Sequence, residues 1–137
     1  LTQVVELLSD VPNLVEMDFW CYWPMQEVGD PKLLISHLEV QPYLRNAIRH
    51  ARACGRQVEV KNFPHCLLGT DADALLNDQP ELRIDPKFWT EFNRNGFHQC
   101  TFRTVCGSKQ CLGLNAAYVK QYGWHEDELR PMPRVAS

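Results

Sequence analysis

Residues 38–62 read LEVQPYLRNAIRHARACGRQVEVKN, and this stretch decides the fold. Leu44, Ala47, Ile48 and Ala51 recur at spacings of three and four, which puts them on one face of a helix over 38–54. Arg45, Arg49 and Arg52 fall on its other faces. Gly55 stands just past the helix end, where a positive φ costs glycine little. Gln57 to Asn62 then alternates polar and apolar through Val58 and Val60, and Phe63-Pro64 stops it, the pattern of a strand.

Upstream, Leu14 to Trp23 is rich in apolar and aromatic residues and stops at Pro24, which predicts a buried strand. Strand, long helix, strand is a βαβ unit, so the two strands are expected parallel with a right-handed crossover. Residues 2–9 predict the end of an amphipathic helix, closed by Asp10-Val11-Pro12-Asn13. A helix starting at once from Leu1 reads as a cut made inside a larger fold. In parallel α/β folds chemistry gathers beyond the C-terminal strand ends. Those ends are the 20–25 and 62–68 segments. Trp20, Tyr22 and Asn62 are therefore expected at the functional end, with Tyr22 and Asn62 as candidate cofactor contacts and core packing as the alternative for Trp20.

Downstream the character changes. Residues 69–86 hold Gly69, four Asp, Asn77 and two Pro, and predict mainly loop with a short helical piece near Ala72–Leu76. Pro86 to Phe97 predicts a short helix presenting Phe88, Trp89 and Phe92, and Leu112 to Tyr122 a last helix ending at Gly123. The tail from Arg130 to Pro133 should be irregular.

The chain has 137 residues, enough for one modest domain, with 45% hydrophobic and 23% charged residues, an ordinary globular balance. The net charge of −3 gives no electrostatic reason to expect nucleic acid or an anionic membrane as partner. No apolar run approaches a membrane span, no stretch has the order of a secretory signal, and a cytoplasmic location is expected.

Six cysteines is a high count. Cys21 and Cys54 sit in apolar or helical contexts and are read as core residues. Cys66, Cys100, Cys106 and Cys111 follow one another with 33, 5 and 4 intervening residues in polar, loop-like sequence. Four thiolates are soft ligands that suit zinc or an iron–sulfur cluster. The spacing is neither the paired pattern of zinc ribbons nor a common ferredoxin run, so it leaves both metals open, with disulfides as the bland alternative. His65 and His98 adjoin this set and read as flanking residues.

The stretch Val58-Glu-Val-Lys-Asn-Phe-Pro-His-Cys-Leu-Leu-Gly69, followed by Cys100, Cys106, Cys111-Leu-Gly-Leu-Asn-Ala-Ala-Tyr118 and Tyr122-Gly123-Trp124, resembles the C-terminal half of radical SAM enzymes. In several branches of that superfamily the last barrel strand runs into a Pro-x-Cys-Leu-Leu turn and a cysteine-rich tail follows. The resemblance implies that residues 1–68 are the C-terminal βα units of a partial (β/α)6 barrel, a TIM-like α/β fold. Residues 69–137 would then be an irregular Cys-rich region holding an auxiliary [4Fe–4S] cluster. It implies S-adenosylmethionine as the cofactor, a radical reaction of oxidoreductase or transferase type, and an electron donor such as a flavodoxin or ferredoxin. The family's C-x3-C-x2-C loop is absent from this sequence. The chain alone is therefore not expected to cleave S-adenosylmethionine, and its partner is an N-terminal half or a companion chain. The alternative is a small non-enzymatic zinc-binding interaction domain, presenting Trp89 and Trp124 to a protein partner.

Overall fold

The computed structural model describes residues 1–24, 29–77 and 84–134. Helix α1 (Thr2–Leu8) leads to strand β1 (Glu16–Trp20), helix α2 (His37–Ala53) and strand β2 (Gln57–Lys61). A 3-10 segment covers His65–Ala74, and helices α3 (Pro86–Arg94) and α4 (Ala116–Tyr122) follow.

The expected βαβ unit is present. β1 and β2 are neighbours and parallel, in a register that runs from Glu16 opposite Gln57 to Trp20 opposite Lys61. Met17 and Val60 are buried, while the alternate residues Glu16, Asp18 and Trp20 are exposed. The apolar stripe of α2 covers the inner face: Leu44, Ala47, Ile48 and Ala51 are all buried. Ala47 and Ala51 join Val5 and Met17 in one cluster, and Leu44 and Ile48 join a larger one with Val60, Phe63, Leu68, Leu114, Tyr118 and Leu129. That larger cluster draws on residues from both sides of Leu68.

The end of α2 explains why Gly55 follows it. Gly55 has φ +75°, its N–H donates to the Arg52 carbonyl, and the Arg56 N–H reaches back to the Ala51 carbonyl. This paired closure satisfies the last carbonyls and needs a residue that accepts a left-handed backbone. The N–H of Cys54, the residue before Gly55, bonds helix carbonyls, so Cys54 is a half-buried helix cap outside both apolar clusters. Cys21 does pack against the main core.

Several boundaries differ from expectation. β1 is shorter than Leu14–Trp23, and Trp20 is 60% exposed, so it does not fill the core. The region expected to be loop after Leu68 instead continues a 3-10 segment, kinked at Gly69, because Asp71 is gripped from α2. The buried Asp71 carboxylate lies 3.2 Å from Arg45, 3.0 Å from Arg49 and 3.9 Å from Arg52. After it, Leu75 bridges Val60 in parallel and covers the second edge of β2. Residues 78–83 of the expected loop, 25–28 and 135–137 lie outside the described residues. α3 ends at Arg94 rather than Phe97, and its rings pack on Trp23 and Phe97. α4 starts at Ala116 rather than Leu112, since Leu112 and Leu114 are bonded to His98 and Gln99 and the Asn115 side chain caps the helix by accepting the Tyr118 N–H. Among the described residues no helix is long and apolar enough to cross a membrane.

Candidate metal centre

Cys66 lies in the turn that follows β2, so the sheet fixes its backbone. The other three thiols ride on the loop between Gln99 and Leu114, whose ends are clamped by a pair of backbone hydrogen bonds, both 3.0 Å. Inside the loop, the Arg103 N–H bonds the Cys100 carbonyl and the Cys106 N–H the Phe102 carbonyl, two turns that fold the loop between Cys100 and Cys106. Cys66, Cys100, Cys106 and Cys111 all line one cavity of about 30 Å³, walled otherwise by apolar groups including Pro64, Phe102, Leu114, Leu129 and Met132. A second hollow of about 50 Å³ shares Cys100, Cys106 and Cys111 and opens past His98, Arg103 and Ser108. Each hollow exceeds the ~10–15 Å³ that one water needs.

All six cysteines are free thiols, so the disulfide alternative is not what brings these four together. Their sulfurs are also not crowded. Among the described residues, the only trio of candidate ligands with all atoms within 4.8 Å is Glu16, Asp18 and Glu59, on the exposed face of the sheet. Tetrahedral zinc with bonds of about 2.3 Å requires sulfurs about 3.8 Å apart. Thiolates that each bind a different iron stand farther apart.

Backbone N–H groups point at the sulfurs. His65 and Gly113 donate to Cys111 at 3.5 and 3.3 Å, and Met132 donates to Cys106 at 3.3 Å. Burial pushes the Cys66 and Cys111 thiols above their ordinary value; the backbone donors oppose this, and the neighbouring cysteines reinforce it. Four thiolates gathered here would repel one another unless a cation sat among them. Bound metal holds such ligands deprotonated.

The polar residues that set this geometry have no local signal. The His65 Nε2–H donates to the Ala72 carbonyl at 3.0 Å, which leaves Nδ1 to accept from the Ser108 hydroxyl at 2.6 Å. Ser108 in turn accepts the Cys111 N–H. Both ring nitrogens are engaged, so His65 orients the loop and is not free to ligate in this arrangement. Asn62 has φ +59° and its N–H donates to the Asn77 side chain, which also donates to the Gln110 carbonyl next to Cys111. Asn62 thus lies on the clamp between β2 and the cysteine loop, and its own buried Nδ2 has no partner. The tail closes the site: the Gly107 N–H donates to the Met132 carbonyl, and a Cβ on Gly107 would overlap the Pro133 carbonyl.

Trp20 and Tyr22 are brought together elsewhere. They line a cleft of about 370 Å³ beyond the C-terminal end of β1, with Leu33, Ile35 and His37. The Tyr22 hydroxyl donates to the Asp30 carbonyl. His37 is buried; burial and then His125 lower its pKa to about 3. The cleft is larger than the cysteine cavity, but among the described residues no set of metal-ligating side chains converges in it. Trp89 is half-buried among α3 rings, and Trp124 is 40% exposed.

Comparison with protein families, curated proteins and solved structures finds no match.

Proposed function

We propose that Cys66, Cys100, Cys106 and Cys111 hold an iron–sulfur cluster, and that the chain is part of a radical SAM enzyme working with an N-terminal half absent from this chain. The convergence of all four thiols on one apolar cavity carries the first statement. Among the described residues no three of these sulfurs lie within 4.8 Å of one another, and N–H groups are aimed at two of them, as the stabilisation of thiolate charge demands. A cluster held by four cysteines supplies one-electron transfer and leaves no open position for substrate. The second statement rests on the resemblance described above and on the parallel βαβ unit, which fits the end of a partial barrel.

In this reading the chain's own residues bind and orient. Cys66 anchors the centre to the sheet, and His65, Ser108 and the Asn77–Gln110 pair hold the cysteine loop over it. Tyr22, in the cleft beyond β1, and Asn62, at the end of β2, remain the residues assigned to S-adenosylmethionine or substrate in the assembled enzyme.

Anaerobic purification followed by iron, sulfide and zinc analysis and a visible spectrum tests the centre. Iron and sulfide in a brown protein with broad visible absorption are the expected result. A colourless zinc protein would favour the interaction domain, and a colourless metal-free protein would remove both readings. The chain alone, reduced and given S-adenosylmethionine, is expected to form no 5′-deoxyadenosine.

A further inference from the structure

The cysteine centre makes no use of the cleft beyond β1. That cleft holds about 370 Å³, which falls in the range of roughly 300–1,000 Å³ found for small-molecule sites. Trp20, Tyr22, Leu33 and Ile35 all line it and are all exposed. The Tyr22 hydroxyl bonds the Asp30 carbonyl, which fixes that ring before anything binds. His37 lines the same cleft but is only 5% exposed, so a polar group stands deep behind an apolar rim. Its ring is held by Tyr118, stacked at 4.1 Å, and by Phe63, edge to face at 5.1 Å. Its buried Nδ1 nevertheless has no hydrogen-bond partner. Buried polar atoms are nearly always paired, so this one calls for a partner that the chain does not supply. Charge narrows what that partner is. Asp18 is the only charged side chain among the described residues that line the cleft. Its carboxylate lies within 4.8 Å of those of Glu16 and Glu59, a cluster that repels anions. His37 is neutral at pH 7, since burial and then His125 lower its pKa to about 3. A neutral imidazole offers one nitrogen as an acceptor.

We propose that this cleft binds a small, flat, uncharged aromatic molecule, whose ring lies against Trp20 and Tyr22 and whose N–H or O–H donates to His37. The aromatic walls give the ring its contact area, and His37 sets its orientation. A full cation would gain from Asp18 but lose its hydration against Leu33, Ile35 and Val40. The site is built from this chain's own residues and needs no metal, so it stands apart from the cysteine centre. Within the enzyme reading it narrows the role of Tyr22 from S-adenosylmethionine or substrate to an aromatic substrate, and that narrowing alone rests on that reading. S-Adenosylmethionine carries a carboxylate, and no Lys or Arg lines the cleft to meet it.

The test titrates the full chain at pH 7 with indole, N-methylindole, indoleacetate, tryptamine and S-adenosylmethionine, by calorimetry and amide NMR shifts. Indole is expected to shift residues 18–22 and 33–37 and to bind about ten-fold more tightly than N-methylindole, the worth of one hydrogen bond. Indoleacetate and S-adenosylmethionine should leave those residues unshifted, and tryptamine should bind no better than indole. His37→Phe should abolish the preference for indole over N-methylindole. Trp20→Ala removes an exposed ring outside both apolar clusters, so the fold survives it, and it should weaken indole about five-fold. Trp124→Ala, an exposed ring outside the cleft, should leave indole binding unchanged. Equal affinity for indole and N-methylindole in the wild type would overturn the role of His37 and with it the proposal. So would absence of indole binding, tighter binding of tryptamine or S-adenosylmethionine, or a dimer whose interface covers residues 18–22 and 33–37. None of these outcomes alters the iron, sulfide and zinc analysis, so a failure here is distinct from a failure of the cysteine centre.

Discussion

On the α2 side of the molecule three arginines converge on the buried carboxylate of Asp71; on the loop between Gln99 and Leu114, together with Cys66, four thiols converge on one cavity. In the first assembly the charges of three arginines are largely met by Asp71 and Asp73 from the same chain. Opposite charges come from a regular helix and a short 3-10 segment, and the backbone around them is hydrogen-bonded without help. The second places like-charging groups together on irregular backbone, held by side-chain clamps and backbone donors. The first is a structural joint. On the proposed reading the second gains its stability from a bound metal, because in such segments metal affinity becomes folding free energy.

Breaking the second assembly should have the largest effect. Cys66→Ala or Cys111→Ala is expected to lose most of the bound metal and to raise amide exchange across residues 98–114, while residues 37–61 stay protected. Chelation of the wild type should produce the same map. Cys54→Ala, at the helix end, should keep its metal. A Cys66→Ala protein with full metal content would show that the four thiols do not share one centre.

Breaking the first should be the next largest. Asp71→Asn leaves Arg45 and Arg49 without their carboxylate, while Arg52 keeps Asp73. Losing one partner of a buried pair costs about 3–5 kcal/mol, and the exposure of Arg49 and Arg52 reduces this to about 2 kcal/mol here. The metal content should not change. The Asp71 carboxyl titrates below its ordinary value of 3.8: burial raises it, and Arg49 and Arg45 more than offset that. Its folded value is therefore the lower one, so its contribution is complete above 3.8 and is lost as pH falls through the folded value. Denaturant midpoints measured between pH 5 and 2.5 should fall in the wild type and flatten in Asp71→Asn.

The two regions were also unequally readable in the sequence. The βαβ unit announces itself through periodicity in Leu44, Ala47, Ile48 and Ala51, through the alternation of Val58 and Val60, and through Gly55. Cys66, Cys100, Cys106 and Cys111 could be singled out by residue type and context, and the structure brings them to one cavity. The groups that set their geometry could not. His65 with Ser108, and Asn77 with Gln110, are polar pairs more than thirty residues apart and leave no period behind. The same blindness explains the misplaced start of α4, where the bonds of Leu112 and Leu114 across the loop prevail over a good helical pattern.

His37 offers a comparison between the cleft beyond β1 and both of these assemblies, since it is a buried titratable group with no charged partner of opposite sign. It stacks on Tyr118 with centroids 4.1 Å apart, and Tyr118 also bonds His125. With a folded pKa near 3 against 6.5 when unfolded, the folded chain binds fewer protons, so stability falls as pH drops below 6.5. From pH 7 to pH 5 the loss should be about 2 kcal/mol. His37→Phe keeps a ring against Tyr118 and should remove most of that slope, leaving the low-pH limb that belongs to Asp71. An unchanged slope between pH 7 and 5 would mean that His37 takes up its proton as readily in the folded protein as in the unfolded chain.

The smallest expected effect tests how the tail closes the metal side. At Gly107 the tail packs directly on the cysteine loop, and a Cβ there would meet not only the Pro133 carbonyl but also Arg134 Cα at 2.8 Å. Both contacts are backbone, so no side chain can swing aside to relieve them. In Gly107→Ala the tail must lift instead. That lengthens the bond from the Met132 N–H to Cys106, and overpacking of this kind costs about 1–3 kcal/mol, with the low end expected for a terminal segment that can move away. The four thiols themselves are not displaced, so metal content should hold at first. The observable change should be faster metal loss to a chelator and faster amide exchange at residues 130–134, with β1, α2 and β2 unaffected. If metal is lost to the chelator no faster than from the wild type, the tail is packing only, and the donor at Met132 does not contribute to holding the centre.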